Sequence, residues 1–193
     1  SSSAASDVYK RQLRALVRQR KDLVRPCLPH LTDLIARLCL LLSSFVRAHT
    51  GEALVREIAA ALPAWLDVAA APLTSSEARA LARLLSELGA KTSTAAPAAK
   101  RARLSHATTE SLRKPLSKYA VYMLLAYVRS ATMPYTTIAA ALRTELQPGL
   151  FVLCDVCGEH ERDAALKHAL DASGQVVFQA LWADWERQRY KGT

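Results

Sequence analysis

The sequence predicts an all-α protein, because three kinds of pattern agree. Apolar residues recur at the helical spacing i, i+3, i+4, i+7 along most of the chain. No stretch alternates convincingly between apolar and polar residues, as a half-buried strand would. The six glycines and most of the eight prolines fall between the helical stretches. Short connections between these helices indicate helical hairpins stacked as an α-solenoid-like array or packed as an irregular helical bundle.

Residues 1 to 12 are set apart from the predicted fold. The run from Ser2 to Gln12 resembles one reading frame of a transposase-type sequencing adapter, and such a segment is no part of a domain. We therefore expect that sequence preceding Leu13 in the natural protein is missing.

The N-terminal helical part, residues 13 to 89, opens with an amphipathic helix over residues 13 to 25, which Pro26 and Pro29 are expected to end. One face of this helix carries a stripe of cations: Arg14, Arg18, Lys21 and Arg25. A stripe of this kind is either a solvated helix face or a surface that contacts phosphate groups.

Further helices follow in the same part of the chain. One is predicted from Leu31 to a glycine cap at Thr50-Gly51, and two shorter ones over 52–62 and 64–70 are separated by Pro63. The capping-box pattern Thr74-Ser75-Ser76-Glu77 then opens a helix that ends at Gly89. Its apolar positions are Ala78, Leu81, Leu84, Leu85 and Leu88.

Residues 90 to 113 lose the apolar periodicity and are rich in Ala, Ser, Thr and Lys, a composition that predicts a disordered basic linker. The linker contains the cluster Lys100, Arg101 and Arg103. In an exposed segment such a cluster can fill the acidic groove of a nuclear import receptor, so we interpret it as an import motif.

The C-terminal helical part spans residues 114 to 193. Pro115 opens a helix whose apolar face is Leu116, Tyr119, Ala120, Met123 and Tyr127. Helices are also predicted over 135–145 and approximately over 149–157, 159–172 and 175–190, with Asp171 capping the last. That last helix is expected to tie the C-terminus to the core through Phe178, Leu181, Trp182 and Trp185.

The order and spacing of residues in this part are similar to the carboxy-terminal domain of the unhealthy ribosome biogenesis protein 2 family, also called nucleolar pre-ribosomal-associated protein 2. The shared positions are Pro148, Gly149, Leu150, Leu153, Asp155, Cys157, His160, Glu161, Leu170, Asp171, Gly174, Phe178 and Leu181. The resemblance implies a helical domain of a nucleolar factor that acts in early large-subunit assembly and pre-ribosomal RNA processing. It also implies partners among the proteins of the early pre-60S particle.

No pattern in the sequence favours catalysis. Cys154-x-x-Cys157 with His160 and His168 could chelate zinc, but both cysteines fall on the apolar face of their predicted helix, which favours a packed core. Glycine-rich phosphate loops and the common hydrolase motifs are absent from the sequence. We therefore expect a non-enzymatic chain with no metal or other cofactor.

The charge of the chain is compatible with two functions. Twenty-six Lys and Arg against 17 Asp and Glu give +9, which suits residence near nucleic acid or acidic proteins. The first function is a scaffold that docks onto proteins of the pre-60S particle, and the alternative is a helical domain that binds pre-ribosomal RNA directly. Tyr119, Tyr122 and Tyr127 could stack on bases, although their apolar neighbours favour packing in the core. The apolar stretches are too short to cross a membrane, so no membrane partner is expected.

Overall fold

The computed structural model describes residues 12, 15–45, 73–90, 111–133 and 136–191. Its main helices are α1 (Lys21–Leu40), α2 (Ser75–Leu88), α3 (Arg113–Thr132), α4 (Ala140–Val156), α5 (Glu159–Ala164) and α6 (Ala172–Lys191). A helical turn at 15–19 precedes α1, and a π-helical turn, Ala165–Ala169, continues α5. The prediction of an all-α protein is confirmed. None of the described helices is long and apolar enough to cross a membrane.

Helices α1 and α3 lie side by side and run in the same direction. Their starts share one groove, and the short strands that follow them, β1 (Ser43–Phe45) and β2 (Thr136–Ile138), pair with each other. The pairing is antiparallel, with Ser43 opposite Ile138 and Phe45 opposite Thr136.

This strand pair corrects two predictions. The helix expected to run on to Thr50 ends at Leu40, and the helix expected from 135 begins only at Ala140. Each strand has three residues, which is too short to show an alternating pattern, and the pairing joins segments that are remote in the sequence. The helices predicted over 52–62 and 64–70 lie outside the described residues.

The prediction that Pro26 and Pro29 end the first helix is wrong. Both prolines lie inside α1, and the interruption falls at Arg20 instead. The two proline side chains are exposed, so the carbonyls that lose a helical partner are on the solvent side, where water can solvate them. The opposite side of the same helix stays continuous and buries Val24, Leu28, Thr32, Ile35 and Cys39.

Helices α2 and α4 form a second parallel pair. Arg79 binds Glu145 near their starts, Ala82 contacts Gly149 in the middle, and Gly89 faces Val152 towards their ends. The break predicted at Gln147-Pro148-Gly149 is therefore wrong. Pro148 is exposed on one side of a continuous helix, while Gly149 is buried against α2.

Helix α3 occupies the centre of the molecule. Leu116, Leu124 and Val128 on it are fully buried in the main core, and Val121 and Leu125 on its other side pack with Ala165. The helix contacts α1, α4 and α6, and its start lies beside the end of α4. Of the two predicted architectures, contacts on several sides of one helix match the irregular bundle. In a solenoid, each unit contacts only its neighbours along the stack.

Two local signals for helix starts are confirmed, whereas α3 begins at Arg113 and not at Pro115 as predicted. The backbone N–H of Thr74 donates to a Glu77 carboxylate oxygen at 2.7 Å where α2 begins, and Gly89 follows the last residue of α2. All five apolar positions predicted for α2 are buried. The Asp171 Oδ1 atom accepts a hydrogen bond of 2.9 Å from the Gly174 N–H in the first turn of α6.

Candidate functional site

A groove lies between the starts of α1 and α3 and encloses about 420 Å³. We call it the basic groove and define it by its lining residues, Lys21, Asp22, Arg25, Ser111, Leu112, Lys114 and Pro115. One wall comes from α1 and the other from residues 111–115, of which 111–113 were predicted to belong to the linker; in the structure Leu112 is 2% exposed and Arg113 begins α3. Both helices start at the groove, so the positive ends of two helix dipoles add to the field of the three cations.

The predicted cationic stripe is divided in the structure. Lys21 and Arg25 line the groove, whereas the Arg18 Nε atom lies 3.4 Å from a Glu87 carboxylate oxygen on α2. Arg14 lies outside the described residues. The sequence did not single out Lys114, because its place in the groove depends on the packing of α3 against α1.

The one carboxylate in the groove already has a cationic partner. Arg20 donates from Nε to Asp22 Oδ1 at 3.2 Å and from Nη2 to Oδ2 at 2.9 Å. This hydrogen-bonded guanidinium lowers the pKa of Asp22, so the carboxylate stays ionised and its charge is offset. Lys21, Arg25 and Lys114 are the cationic side chains among the lining residues of the groove.

Arg113 fixes the position of the groove wall that α3 forms. Its Nη1 atom donates to the Gly89 carbonyl at 3.0 Å, at the end of α2. Its Nη2 atom donates to the Asp155 carbonyl at 3.0 Å and to the Asp155 carboxylate at 2.6 Å, near the end of α4. A cation at the C-terminal ends of two helices is stabilised by both dipoles. No local sequence pattern predicts the role of Arg113, because its hydrogen-bond partners are remote in the chain.

A second surface lies on α6. Phe178 and Leu181 are buried, as predicted, while Trp182 and Trp185 pack against the core and are only partly buried. The Trp182 and Trp185 ring centroids are 5.0 Å apart. The guanidinium carbon of Arg162 lies 5.2 Å from the Trp182 centroid, and that of Arg189 lies 5.2 Å from the Trp185 centroid. We call these two tryptophans and two arginines the aromatic ridge.

The cysteines of the Cys-x-x-Cys pattern lie in the core or at its edge. Cys154 is 2% exposed and Cys157 is half-buried, which confirms their predicted apolar placement. Burial raises the pKa of the Cys154 thiol to about 12 and that of Cys157 to about 11. His160 and His168 point to solvent, and the described residues contain no group of three acidic, His or Cys side chains suited to a metal ion.

The remaining predicted positions are dispersed. Leu150 and Leu153 are in the core, whereas Pro148, Asp155, His160, Glu161 and Asp171 are exposed and Leu170 is half-buried. Tyr127 is buried and Tyr119 packs against the core, but Tyr122 is 60% exposed, so the three tyrosines do not form one stacking surface. Lys100, Arg101 and Arg103 lie outside the described residues.

A model of the Urb2/Npa2 family matches residues 5–193 of the chain. The match begins within the segment that the adapter resemblance set aside, so residues 5 to 12 belong to the matched span. Comparisons with curated proteins and with solved structures gave no match.

Proposed function

This chain belongs to the Urb2/Npa2 family, whose members are ribosome biogenesis factors, and we propose that it is a non-enzymatic scaffold domain. It acts in the nucleolus during early assembly of the large ribosomal subunit and processing of pre-ribosomal RNA. Its partners are proteins of the early pre-60S particle, and it docks onto them through the aromatic ridge of α6.

The two partly buried tryptophans at the edge of the core are the observation that supports this role. Tryptophan and arginine are enriched among the residues that contribute most to protein–protein binding, and the ridge holds two of each within stacking distance. Phe178, which is 1% exposed, lies on the same face of α6 as the two tryptophans and anchors that face to the core, so the ridge at its edge stands on a rigid support.

One polar atom of the ridge has no partner in the described part of the chain. The indole Nε1 atom of Trp182 is shielded from solvent and makes no hydrogen bond there. A buried donor without an acceptor costs about 1 to 3 kcal/mol. A carbonyl oxygen of a docked protein that reached this atom would remove that cost.

A single substitution tests the docking surface. We expect Trp185→Ala to reduce co-sedimentation of the tagged chain with pre-60S particles at least tenfold, measured after RNase treatment to remove contacts through RNA. Tyr122→Ala is the matched control, because Tyr122 is an exposed aromatic residue on α3 and not in the ridge. The melting temperature of each variant shows whether the fold is intact. Retention of the folded Trp185→Ala variant at the level of the parent would exclude the ridge as the docking surface.

The cluster Lys100, Arg101 and Arg103 supports a further part of the proposal, which is delivery of the chain to the nucleus by an import receptor. Replacing all three residues with Ala should lower nuclear accumulation of a fluorescent fusion of this chain. Arg83→Ala, Arg129→Ala and Lys167→Ala together remove the same charge from exposed helical positions and should leave accumulation unchanged. Equal accumulation of both triple variants would argue against the import motif.

A second function, direct binding of RNA by the domain, is favoured by the basic groove. The groove is lined by cations from two helices. Asp22, the carboxylate among its lining residues, is paired with Arg20. The scaffold and the RNA-binding functions are compatible because the groove and the aromatic ridge are separate surfaces.

A further inference from the structure

We propose that the basic groove binds the phosphodiester backbone of RNA, with Lys21, Arg25 and Lys114 as the cations that contact phosphate groups. The choice of RNA over other polyanions rests on the proposed role in ribosome biogenesis. The site itself is argued from its charge, its lining and the contacts that hold its walls.

The groove offers positive charge on both walls. Lys21 and Arg25 come from the first turns of α1, and Lys114 comes from the first turn of α3. A strand lying in the groove would therefore meet cations on two sides rather than a single row along one helix.

One neutral polar group of the groove is oriented for donation. The Ser111 Oγ atom accepts a hydrogen bond of 3.2 Å from the Arg113 N–H. Its lone pair on that side is occupied, so its own hydroxyl hydrogen is available to an acceptor in the groove. A phosphate oxygen is an acceptor that cannot donate, which suits this arrangement.

The lining also indicates which part of RNA is bound. The apolar part of the lining consists of Leu112, which is 2% exposed, and Pro115, and none of the lining residues has an aromatic ring. Proteins that bind bases of single strands stack them on aromatic side chains, whereas phosphate contacts carry no sequence information. The groove should therefore bind RNA with little sequence preference and with a strong dependence on salt.

The walls of the groove are held in place before RNA binds. Arg113 joins the start of α3 to the ends of α2 and α4, and α3 in turn packs along α1. A preorganised site loses less conformational entropy on binding than a flexible one.

Fluorescence anisotropy with a labelled 20-nucleotide single-stranded RNA, at several salt concentrations, tests the site. We expect Lys21→Gln with Lys114→Gln to weaken binding about tenfold or more at low salt. The slope of log K against log salt should fall by about 1.4, since each phosphate contact on a single strand contributes about 0.7. The control double variant, Arg129→Gln with Lys167→Gln, removes the same charge from exposed positions that do not line the groove and should stay within about threefold of the parent.

Two outcomes would overturn the proposal. Equal weakening by both double variants would show that net charge, rather than the groove, binds RNA. If polyglutamate bound more tightly than RNA and lost its affinity only in the Lys21/Lys114 variant, the groove would be a site for an acidic peptide. Purified components contain no pre-ribosomal protein, so failure of the docking surface on α6 would not affect either measurement.

Discussion

Gly149 shows how one missing side chain sets the distance between two helices. A Cβ atom at this position would lie 2.7 Å from the Ala82 Cα and 2.9 Å from the Ala82 carbonyl oxygen. The obstructing atoms belong to the backbone of α2, which cannot rotate away. Gly149→Ala should therefore force α2 and α4 apart and lower the free energy of unfolding by about 1 to 3 kcal/mol, measured by urea denaturation. This direction opposes helix propensity, which favours Ala over Gly by about 1 kcal/mol.

Gly158→Ala is the matched control for Gly149→Ala. A Cβ atom at position 158 would lie 2.2 Å from a Glu161 carboxylate oxygen, which is the mobile end of an exposed side chain and can move into solvent. We expect this variant to stay within about 0.5 kcal/mol of the parent. Similar losses in the two variants would show that the crossing of α2 and α4 is not closely packed at Gly149.

The cysteines differ enough in burial for a chemical test. The raised pKa of Cys154, about 12, leaves about one thiol in 10,000 ionised at pH 8, and Cys39 is raised to about 12 as well. Cys27 is exposed. Iodoacetamide at pH 8 should therefore alkylate Cys27 first and reach Cys39 and Cys154 only on unfolding, as read by mass spectrometry. Rapid alkylation of Cys154, or one zinc per chain in protein purified without chelator, would contradict its assignment to the core.

At the scale of elements, Arg113 joins three helices through one guanidinium group. Hydrogen bonds that involve a charged group contribute about 1.5 to 3 kcal/mol, and partial exposure of this pair to water reduces that value. We expect Arg113→Ala to lower the free energy of unfolding by about 1 to 2 kcal/mol. Arg113→Lys should recover only part of the loss, because one ammonium group cannot reach Gly89 and Asp155 with the same geometry.

Arg79→Ala provides the comparison for Arg113→Ala. Arg79 also binds a carboxylate in two places, with 2.7 Å from Nε and 2.5 Å from Nη2 to the Glu145 oxygens. Its side chain is 52% exposed, however, so solvent screens the pair and the expected loss is smaller than that of Arg113→Ala. A larger loss of unfolding free energy in Arg79→Ala than in Arg113→Ala would show that the contacts of Arg113 with the ends of α2 and α4 contribute little to stability.

The elements that the sequence predicted correctly are those whose signals are local. Thr74 and Glu77 are three residues apart, as are Asp171 and Gly174, and both helix starts were found. Local patterns could not predict that α1 and α4 continue past their prolines. That outcome depends on which side of each helix is buried against an element distant in the sequence. The candidate sites follow the same rule. Lys21 and Arg25 share one helix and were identified, whereas Lys114 and Arg113 acquire their roles only when α3 packs against α1, α2 and α4.

At the scale of the whole molecule, α3 links the two surfaces with proposed functions. Its first turn forms one wall of the basic groove, and its buried length packs against α6, which carries the aromatic ridge. A central helix that is buried on several sides holds both surfaces in a fixed relation. This arrangement suits a scaffold that contacts RNA and protein in the same particle.

The N-terminal limit of the fold is the point at which two observations disagree. Residues 1 to 12 resemble adapter sequence, yet the family match begins at residue 5. In the described structure, Val17 is the first residue buried in the main core, at 1% exposure, and Arg18 reaches Glu87 on α2. We therefore keep as a prediction that the stabilising part of the chain begins after residue 12.

Two truncations separate these alternatives. A chain that begins at Leu13 should have the melting temperature of the full chain, because it keeps both Val17 and Arg18. A chain that begins at Lys21 loses the burial of Val17, which is worth about 1.5 to 3 kcal/mol. Since 1 kcal/mol shifts the melting temperature of a domain of this size by about 2 to 4 °C, the second truncation should melt roughly 3 to 12 °C lower. A comparable decrease in the chain that begins at Leu13 would show that residues 1 to 12 belong to the fold, and that the family match at residue 5 marks a structural boundary.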